Sequence, residues 1–487
     1  QGFRQLKRLT WQAYLPRLRR MKRSFERPNS PMSETTIQNG VAGGTPKRVQ
    51  MILPFQRFFR RIVRGSFPLF FTTILALVWA NLPETTYHTV WHTELKISLG
   101  HFQITKSLLH WIDDALMTLF FFIVGLEIKR EMLVGELASA KKALLPVSAA
   151  AGGMLFPAAI YAIFNHGTPA ASGWGIPMAT DIAFSLAVLA ALGKRIPLGL
   201  KVFLSAFAIA DDLGAVLVIA LFYTESIVWY YLLISGVFLL ALALANYFWI
   251  RWTVVYAVLG ICMWFAIQGS GIHATVAGVL VAMFIPARGK YDTDTFLTKV
   301  HRNLDDFECA PGSCGYTILL NRQHLNACQA IELACHDVQT PLQRLEHGLQ
   351  SWVAFLVLPL FAFANAGLHF EGIDVLNAMG HPVTLGIVLG LVVGKPVGIS
   401  LFTYLAQKIL KTPLAAGVGW GHIVGASMLG GIGFTMSLFV QGLSFSSAHV
   451  QEYSKLGIFL GSLIAGILGL VFLYLLKPGQ RESAKAT

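Results

Sequence analysis

The stretch FAIADDLGAVLVIALF, residues 207–222, holds two adjacent carboxylates, Asp211 and Asp212, in an otherwise uncharged apolar run. The apolar span extends back to residue 198, with Lys201 near its start, which is more than the roughly 20 apolar residues that span a bilayer as a helix. A charge near the middle of such a helix costs about 2.5–3.5 kcal/mol on insertion scales, so each aspartate needs an internal partner or an aqueous cavity. Adjacent residues on an α-helix point about 100° apart. The two carboxylates therefore face different surroundings: one towards a cation of the protein, the other towards a cavity.

The rest of the chain fits a membrane setting. Of 487 residues, 55% are hydrophobic and 13% charged, with a mean hydropathy of +0.59. Soluble domains carry about 25% charged residues. The fold class expected is an all-α polytopic membrane protein with about twelve transmembrane helices and a small outer β-hairpin. Its apolar spans lie near 65–83, 107–126, 143–164, 173–192, 198–222, 226–246, 252–268, 271–286, 351–369, 383–406, 416–442 and 454–476. Five regions follow: a basic N-terminal extension (1–64), spans one to eight (65–286), a polar insert (287–350), spans nine to twelve (351–476) and a tail (477–487).

The net charge of +13 does not point to nucleic acid, because it is unevenly placed. Residues 1–65 hold fifteen Lys and Arg against two acids, Glu26 and Glu34. Such a segment favours the cytoplasmic side and either rests on anionic lipid or stays solvated. With the N-terminus inside, Lys129, Arg130, Lys141, Lys142, Lys194, Arg195, Arg251, the insert, Lys408 and Lys411 fall in cytoplasmic loops, and Lys477, Arg481 and Lys485 in a cytoplasmic tail. The opposite loops are nearly free of Lys and Arg, with Lys96, Lys106 and Lys455 as exceptions. Both termini are thus expected inside. No cleavable signal peptide is expected, since the first apolar stretch lies far into the chain. Gln1 opens the chain, and Met32 and Met51 are alternative starts that intact mass against 53.4 kDa would test.

Residues 95–105, LKISLGHFQIT, alternate in polarity around Gly100 and predict the outer hairpin. The insert holds Cys309, Cys314, Cys328 and Cys335 with His324 and His336. Their spacings fit no standard zinc pattern well, so reduced cysteines are the simpler expectation.

Besides Asp211 and Asp212, the intramembrane charges are Asp181 and Lys395, with Asp114 and Glu127 nearer the ends of the second span. Lys395 is the evident cation partner, and Pro396 beside it removes a backbone donor. Asp181 lies in GWGIPMATDIAFSLAV, where Gly173, Gly175 and Pro177 argue against an unbroken helix over 173–178. MLGGIGFTMSLF, residues 428–439, places Gly430, Gly431 and Gly433 before Thr435 in the same way. Glycines also serve close helix packing, which is the plainer reading. Against it, the two interrupted segments fall in the fourth and eleventh spans, making spans 3–5 and 10–12 inverted repeats. Paired interruptions of this kind point to a transporter's binding site. Asp181 would offset exposed helix N-termini and Lys395 exposed C-termini.

FFFIVGLEIKREM, PMATDIAFSLAVLA, FAIADDLGAV, GIHATVAGVLV, LPLFAFANAGL, GLVVGKPVGIS and GGIGFTMSLF occur in that order across residues 55–475. In them the chain resembles the bacterial sodium/proton antiporter A family, the NhaA type. The resemblance implies a pH-regulated inner-membrane antiporter that expels Na+ or Li+ and admits H+, with two broken helices crossing at the midplane and neither cofactor, structural metal nor catalytic residue. Asp212 matches the family's principal cation and proton carboxylate, and Asp211 the neighbour that pairs with Lys395. Thr180 and Asp181, with Pro177, Gly431 and Gly433 at the interruptions, match the helix crossing beside the site, and Thr180, Asp181 and Asp211 join Asp212 as candidate cation- and proton-binding residues. Glu127, Arg130, Glu131, His273 and Glu346 match positions tied to pH response, although His273 also reads as a packing residue. Residues 95–105 look like the family's homodimer contact, and membrane lipid is a further partner. The basic extension and the cysteine-bearing insert depart from the pattern.

Chemistry agrees with the resemblance. Carboxylate oxygens suit a small hard cation, and burial together with a nearby lysine decides whether such a carboxylate holds a proton at the working pH. Two alternatives stay open. Lys395 could serve proton-coupled transport of an organic anion. An intramembrane aspartyl protease also needs two aspartates, but neither its Tyr-Asp nor its Gly-x-Gly-Asp motif surrounds Asp181, Asp211 or Asp212.

Overall fold

The structure, a computed structural model, describes residues 53–476 apart from 84, 100–101, 225–226, 306–321, 370–374, 411–413 and 416, and gives no account of the side chains at 53–65, 97–99, 102–104, 194, 375 and 410. The chain divides into two compact units, Gln1–Leu53 and Pro54–Thr487, and the second holds the helical bundle. Residues 1–52 of the basic extension, Cys309, Cys314, Lys411 and the tail with Lys477, Arg481 and Lys485 lie outside the described residues, while 53–64 of the extension belong to the first helix.

Helices dominate. The longer ones are α1 (Leu53–Ala80), α2 (Met117–Val134), α3 (Ala140–Asn165), α4 (Ile182–Ala191), α5 (Leu198–Phe222), α6 (Trp229–Tyr247), α7 (Thr253–Gly269), α8 (Thr275–Phe284), α9 (Thr293–Asp305), α10 (Arg322–Val338), α11 (Pro341–Trp352), α12 (Leu358–Asn365), α13 (Pro382–Leu389), α14 (Lys395–Leu410), α15 (Trp420–Gly430), α16 (Phe434–Ser444) and α17 (Ala448–Leu475). Among the described residues seven helical segments are long and apolar enough to cross a membrane, or eight when α15 and α16, bent by 43° at their junction, count as one. That is fewer than the twelve expected from hydropathy. The difference has a physical origin in interruption and charge. The apolar part of α1 (Ser66–Ala80), α7 and α8 are short. Residues 108–134 are helical throughout but carry Asp113, Asp114, Glu127, Lys129, Arg130 and Glu131.

Two prolines shape the helices near the centre. Residues Val353–Val357 and Gly390–Gly394 form π-turns, in which the Leu358 and Lys395 amides reach back five residues to the Val353 and Gly390 carbonyls. Pro359 and Pro396 follow directly. A proline has no N–H and its ring crowds the carbonyl four residues back, so the helix widens just ahead of it. α11 starts ten residues before the expected ninth span, because Thr340 and Gln343 make a reciprocal capping box with Pro341 at the first helical position. It runs through the π-turn into α12, so the insert proper is shorter than 287–350.

α3 and α14 pack with almost no separation. A Cβ built on Gly152 would fall on the Gly398 carbonyl, and one on Gly398 on the Gly152 carbonyl. Only glycine lets two backbones approach so closely.

Strands Glu94–Leu99 and Phe102–Ser107 pair antiparallel, Glu94 opposite Ser107 and Leu99 opposite Phe102. Lys106, an exception to the charge alternation, is held by Asp114 at 2.6 Å. Lys455, another exception, donates to the Gly367 carbonyl at 3.0 Å. In the insert Cys328 and Cys335 are free, and among the described residues no three His, Cys, Asp or Glu side chains gather as metal ligands.

Candidate ion-binding site at the helix crossing

The centre is built where two interruptions meet. A 3-10 turn, Pro169–Met178, ends in extended backbone at Ala179, Thr180 and Asp181 before α4 begins. The break thus falls just past the predicted 173–178. The second break, 431–433, separates α15 from α16. The two are hydrogen-bonded directly: the Asp181 amide donates to the Ile432 carbonyl at 2.7 Å, and the Thr180 hydroxyl to the Gly430 carbonyl at 3.0 Å. A Cβ on Gly431 would fall on the Leu391 carbonyl, and one on Gly433 would stand 3.1 Å from the Ala179 carbonyl. The glycines at this break thus permit backbone contact. Pro177 packs on Gly390 from the other side.

Each break leaves donors and acceptors that a buried backbone must satisfy. Asp181 serves both N-termini. One oxygen accepts from the Phe184 amide at 3.0 Å as the N-cap of α4, and the other accepts from the Thr435 amide at 3.1 Å and from the Thr435 hydroxyl at the start of α16. Ser462 of α17 accepts from the Gly433 and Phe434 amides at 3.2 and 3.1 Å. The carbonyl ends are served by serines in matching positions. Ser185, fourth in α4, donates to the Leu429 carbonyl, and Ser437, fourth in α16, to the Ile176 carbonyl, each at 2.8 Å.

Asp211 and Asp212 sit mid-way along α5 with 1% and 2% of their surface exposed, and Lys395 is wholly buried. Lys395 Nζ lies 2.9 Å from Asp211 Oδ2 and also contacts the Thr180 hydroxyl. That hydroxyl spends its proton on Gly430, so it accepts from the lysine. Lys395 thereby reaches the carbonyl end of α15 through Thr180 as well as pairing with Asp211. Asp212 makes no ion pair among the described residues, and its Oδ2, like Asp211 Oδ1, is buried with no hydrogen-bond partner among them. The inequivalence set by the helical angle is present in the packing.

The pH-response candidates form one cluster and one outlier. Arg130 contacts Glu346 of α11, and lies 3.1 Å from Glu131 and 3.5 Å from Glu127. His273 stands apart, 3.2 Å from the Thr275 hydroxyl and edge-on to Phe439 with ring centroids 5.5 Å apart.

Sequence reasoning missed two polar groups. Lys129, read only as a loop charge, donates to the Met283 and Ile285 carbonyls at 2.6 and 2.5 Å and so closes the C-terminus of α8. Asp113, in the π-turn Ile112–Leu116, accepts from Asn365 at 2.7 Å. The adjacent Asp113–Asp114 pair, diverging to different partners like Asp211–Asp212, was the available signal.

Helices that break and cross in the membrane, with carboxylates and a lysine buried at the crossing, define a secondary transporter for small ions. Comparison with known proteins narrows the class. Residues 56–473 match the family model described as Na+/H+ antiporter 1, and the chain belongs to that family. Its members are transporters rather than enzymes. The chain is 48% identical to the Na(+)/H(+) antiporter NhaA of Acidithiobacillus ferrooxidans, over 87% of this chain and 98% of that one. It is 47% identical to the NhaA of Koribacter versatilis (87% and 92% covered) and 45% identical to NhaA 2 of Syntrophotalea carbinolica (86% and 96%).

Proposed function

We propose that the chain exchanges Na+ or Li+ for protons at Asp212, electrogenically and under pH control, expelling sodium across the inner membrane. The observation that carries this reading is that Asp211 is held by Lys395 while the neighbouring buried Asp212 has no ion-pair partner among the described residues, each carboxylate keeping one buried oxygen free of hydrogen bonds there. A buried carboxylate oxygen free of protein donors binds either a proton or a small hard cation, never both at full occupancy. Alternating exposure of that site then exchanges one for the other. Asp211, Thr180 and Lys395 hold its charge balance, and Asp181 holds the crossing in register. If more protons enter than cations leave, membrane potential contributes about 2.3 kcal/mol per charge per 100 mV.

Twelve spans in two inverted repeats, with both termini cytoplasmic, complete the proposal. The matching serines, Ser185 and Ser437, support the repeat relation. Glu127, Arg130, Glu131 and Glu346 form the pH-responsive group, with His273 beside α16 as a second element. The 95–105 hairpin is the homodimer contact, and lipid surrounds the bundle. Transport of an organic anion is less well supported, because the Lys395 ammonium is already taken by Asp211 and Thr180.

The test is Asp212→Asn in inverted membrane vesicles, following proton flux on addition of Na+, Li+, K+ or organic anions. Loss of Na+- and Li+-driven flux in a folded protein is expected. Normal Na+-driven flux in that variant overturns the assignment.

A further inference from the structure

A cavity of about 300 Å³ opens between α3, α5 and α15, lined by Pro146, Phe203, Ala206 and Ile423 among others, with Glu136 and Lys142 at its exposed rim, 3.8 Å apart. The three helices continue inward from the cavity to the ion pair, through Gly153 of α3, Phe207 of α5 and Gly430 of α15. Phe207 is fully buried one turn before Asp211, and Ile399 is fully buried one turn after Lys395. Both fill the gap between the two glycines. A Cβ on Gly153 would stand 2.9 Å from Ile399 and 3.4 Å from the Phe207 ring, and one on Gly430 2.9 Å from Ile399 and 3.3 Å from the same ring. The ring also faces the lysine, whose Nζ lies 6.0 Å from its centroid.

We propose that Phe207 and Ile399 form an apolar seal that separates the cavity from the Asp211–Lys395 pair and prevents protons from crossing without a counter-moving cation. The proposal rests on the antiport reading and deepens it. Each partner of the ion pair carries its own hydrophobe one helical turn towards the cavity, so a movement that separates Asp211 from Lys395 also parts the two halves of the seal. The ring adds a second property. An aromatic face within about 6 Å attracts an ammonium, so Phe207 steadies the charge of Lys395 while Asp211 is turned away. An aliphatic side chain of similar bulk would seal but would not do this.

The full chain is reconstituted in sealed proteoliposomes. Two quantities are read: the proton leak down an imposed pH gradient without Na+, and the Na+-driven exchange. F207A and I399A are expected to raise the leak several-fold. F207L keeps the leak at the wild-type level but shifts the pH profile of exchange, since bulk is retained and the aromatic face is lost. Wild-type leak in both F207A and I399A overturns the seal, and a leak as large in F207L as in F207A does so too. If F207A does not fold, I399A alone decides. Absence of Na+-driven exchange in the wild type overturns the antiport reading instead, and leaves the leak measurement standing as a separate result.

Discussion

Replacing Asp181 discriminates between two roles that a buried aspartate beside an ion site can have. In the structure both of its oxygens are committed to protein donors: the Phe184 amide, the Thr435 amide and the Thr435 hydroxyl. Asp181→Ala strands all three. A buried donor without an acceptor costs about 1–3 kcal/mol. The hydroxyl can turn to a nearby backbone carbonyl, which leaves two amides and a total of about 2–6 kcal/mol on the same scale. Asp181→Asn keeps one acceptor oxygen but points an NH2 at the remaining donors and removes the charge that faces two helix N-termini. Each such charge is worth up to about 2 kcal/mol in partly buried geometry, so the amide variant falls between. The assay is the folded fraction after heating in detergent, read by size exclusion, together with the KM for Na+ in the fraction that survives. The capping role predicts stability in the order wild type, Asn, Ala, with KM for Na+ little changed. An ion ligand predicts the reverse: raised KM at unchanged stability. Wild-type thermal stability in Asp181→Ala would refute the reasoning.

Three other consequences can be checked directly. Lys395→Met leaves Asp211 buried and unpaired, at a cost of about 3–5 kcal/mol; the Asp211→Asn/Lys395→Met double variant should recover most of it, and equal stability of single and double variants would show the pair to be energetically silent. Lys129→Met removes a charged donor from the Met283 and Ile285 carbonyls, worth about 1.5–3 kcal/mol; an unchanged melting midpoint would contradict that. In the insert, hydrogen bonds from the Thr295 hydroxyl and amide hold the Asp292 carboxyl below its ordinary range at the start of α9. Because the folded value is the lower one, this support is present above the unfolded value and is lost as pH falls through the folded one. Hydrogen exchange in Thr293–Asp305 should therefore show fraying in acid that Asp292→Asn already shows near neutrality, and identical protection in the two proteins at neutral pH would exclude it.

The sequence carried the site's chemistry well and its wiring poorly. Asp211, Asp212 and Lys395 stood out because charges in apolar runs are costly, and that cost is a local property. The interruptions near Pro177 and Gly431 were legible for the same reason. What could not be read was which group satisfies which. Asp181 answers to Thr435 across 254 residues, and Lys129 to Met283 across 154. No periodicity records such distances. Lys106 and Lys455 looked like violations of the charge alternation, yet each has a partner, Asp114 close by in the chain for the first and the distant Gly367 carbonyl for the second. Among the described residues seven or eight helices pass on length and composition where hydropathy suggested twelve spans, because the apolar part of α1, α7 and α8 are short.

The contact between Gly152 and Gly398 has a mechanical meaning. Two helices whose backbones touch cannot slide past one another or roll apart without opening a void, so α3 and α14 behave as a single beam. Lys395 begins one of the two members of that beam. Its height in the membrane is therefore fixed by α3, and any stroke that lifts the lysine away from Asp211 must carry both helices or leave both at rest and move α5 instead.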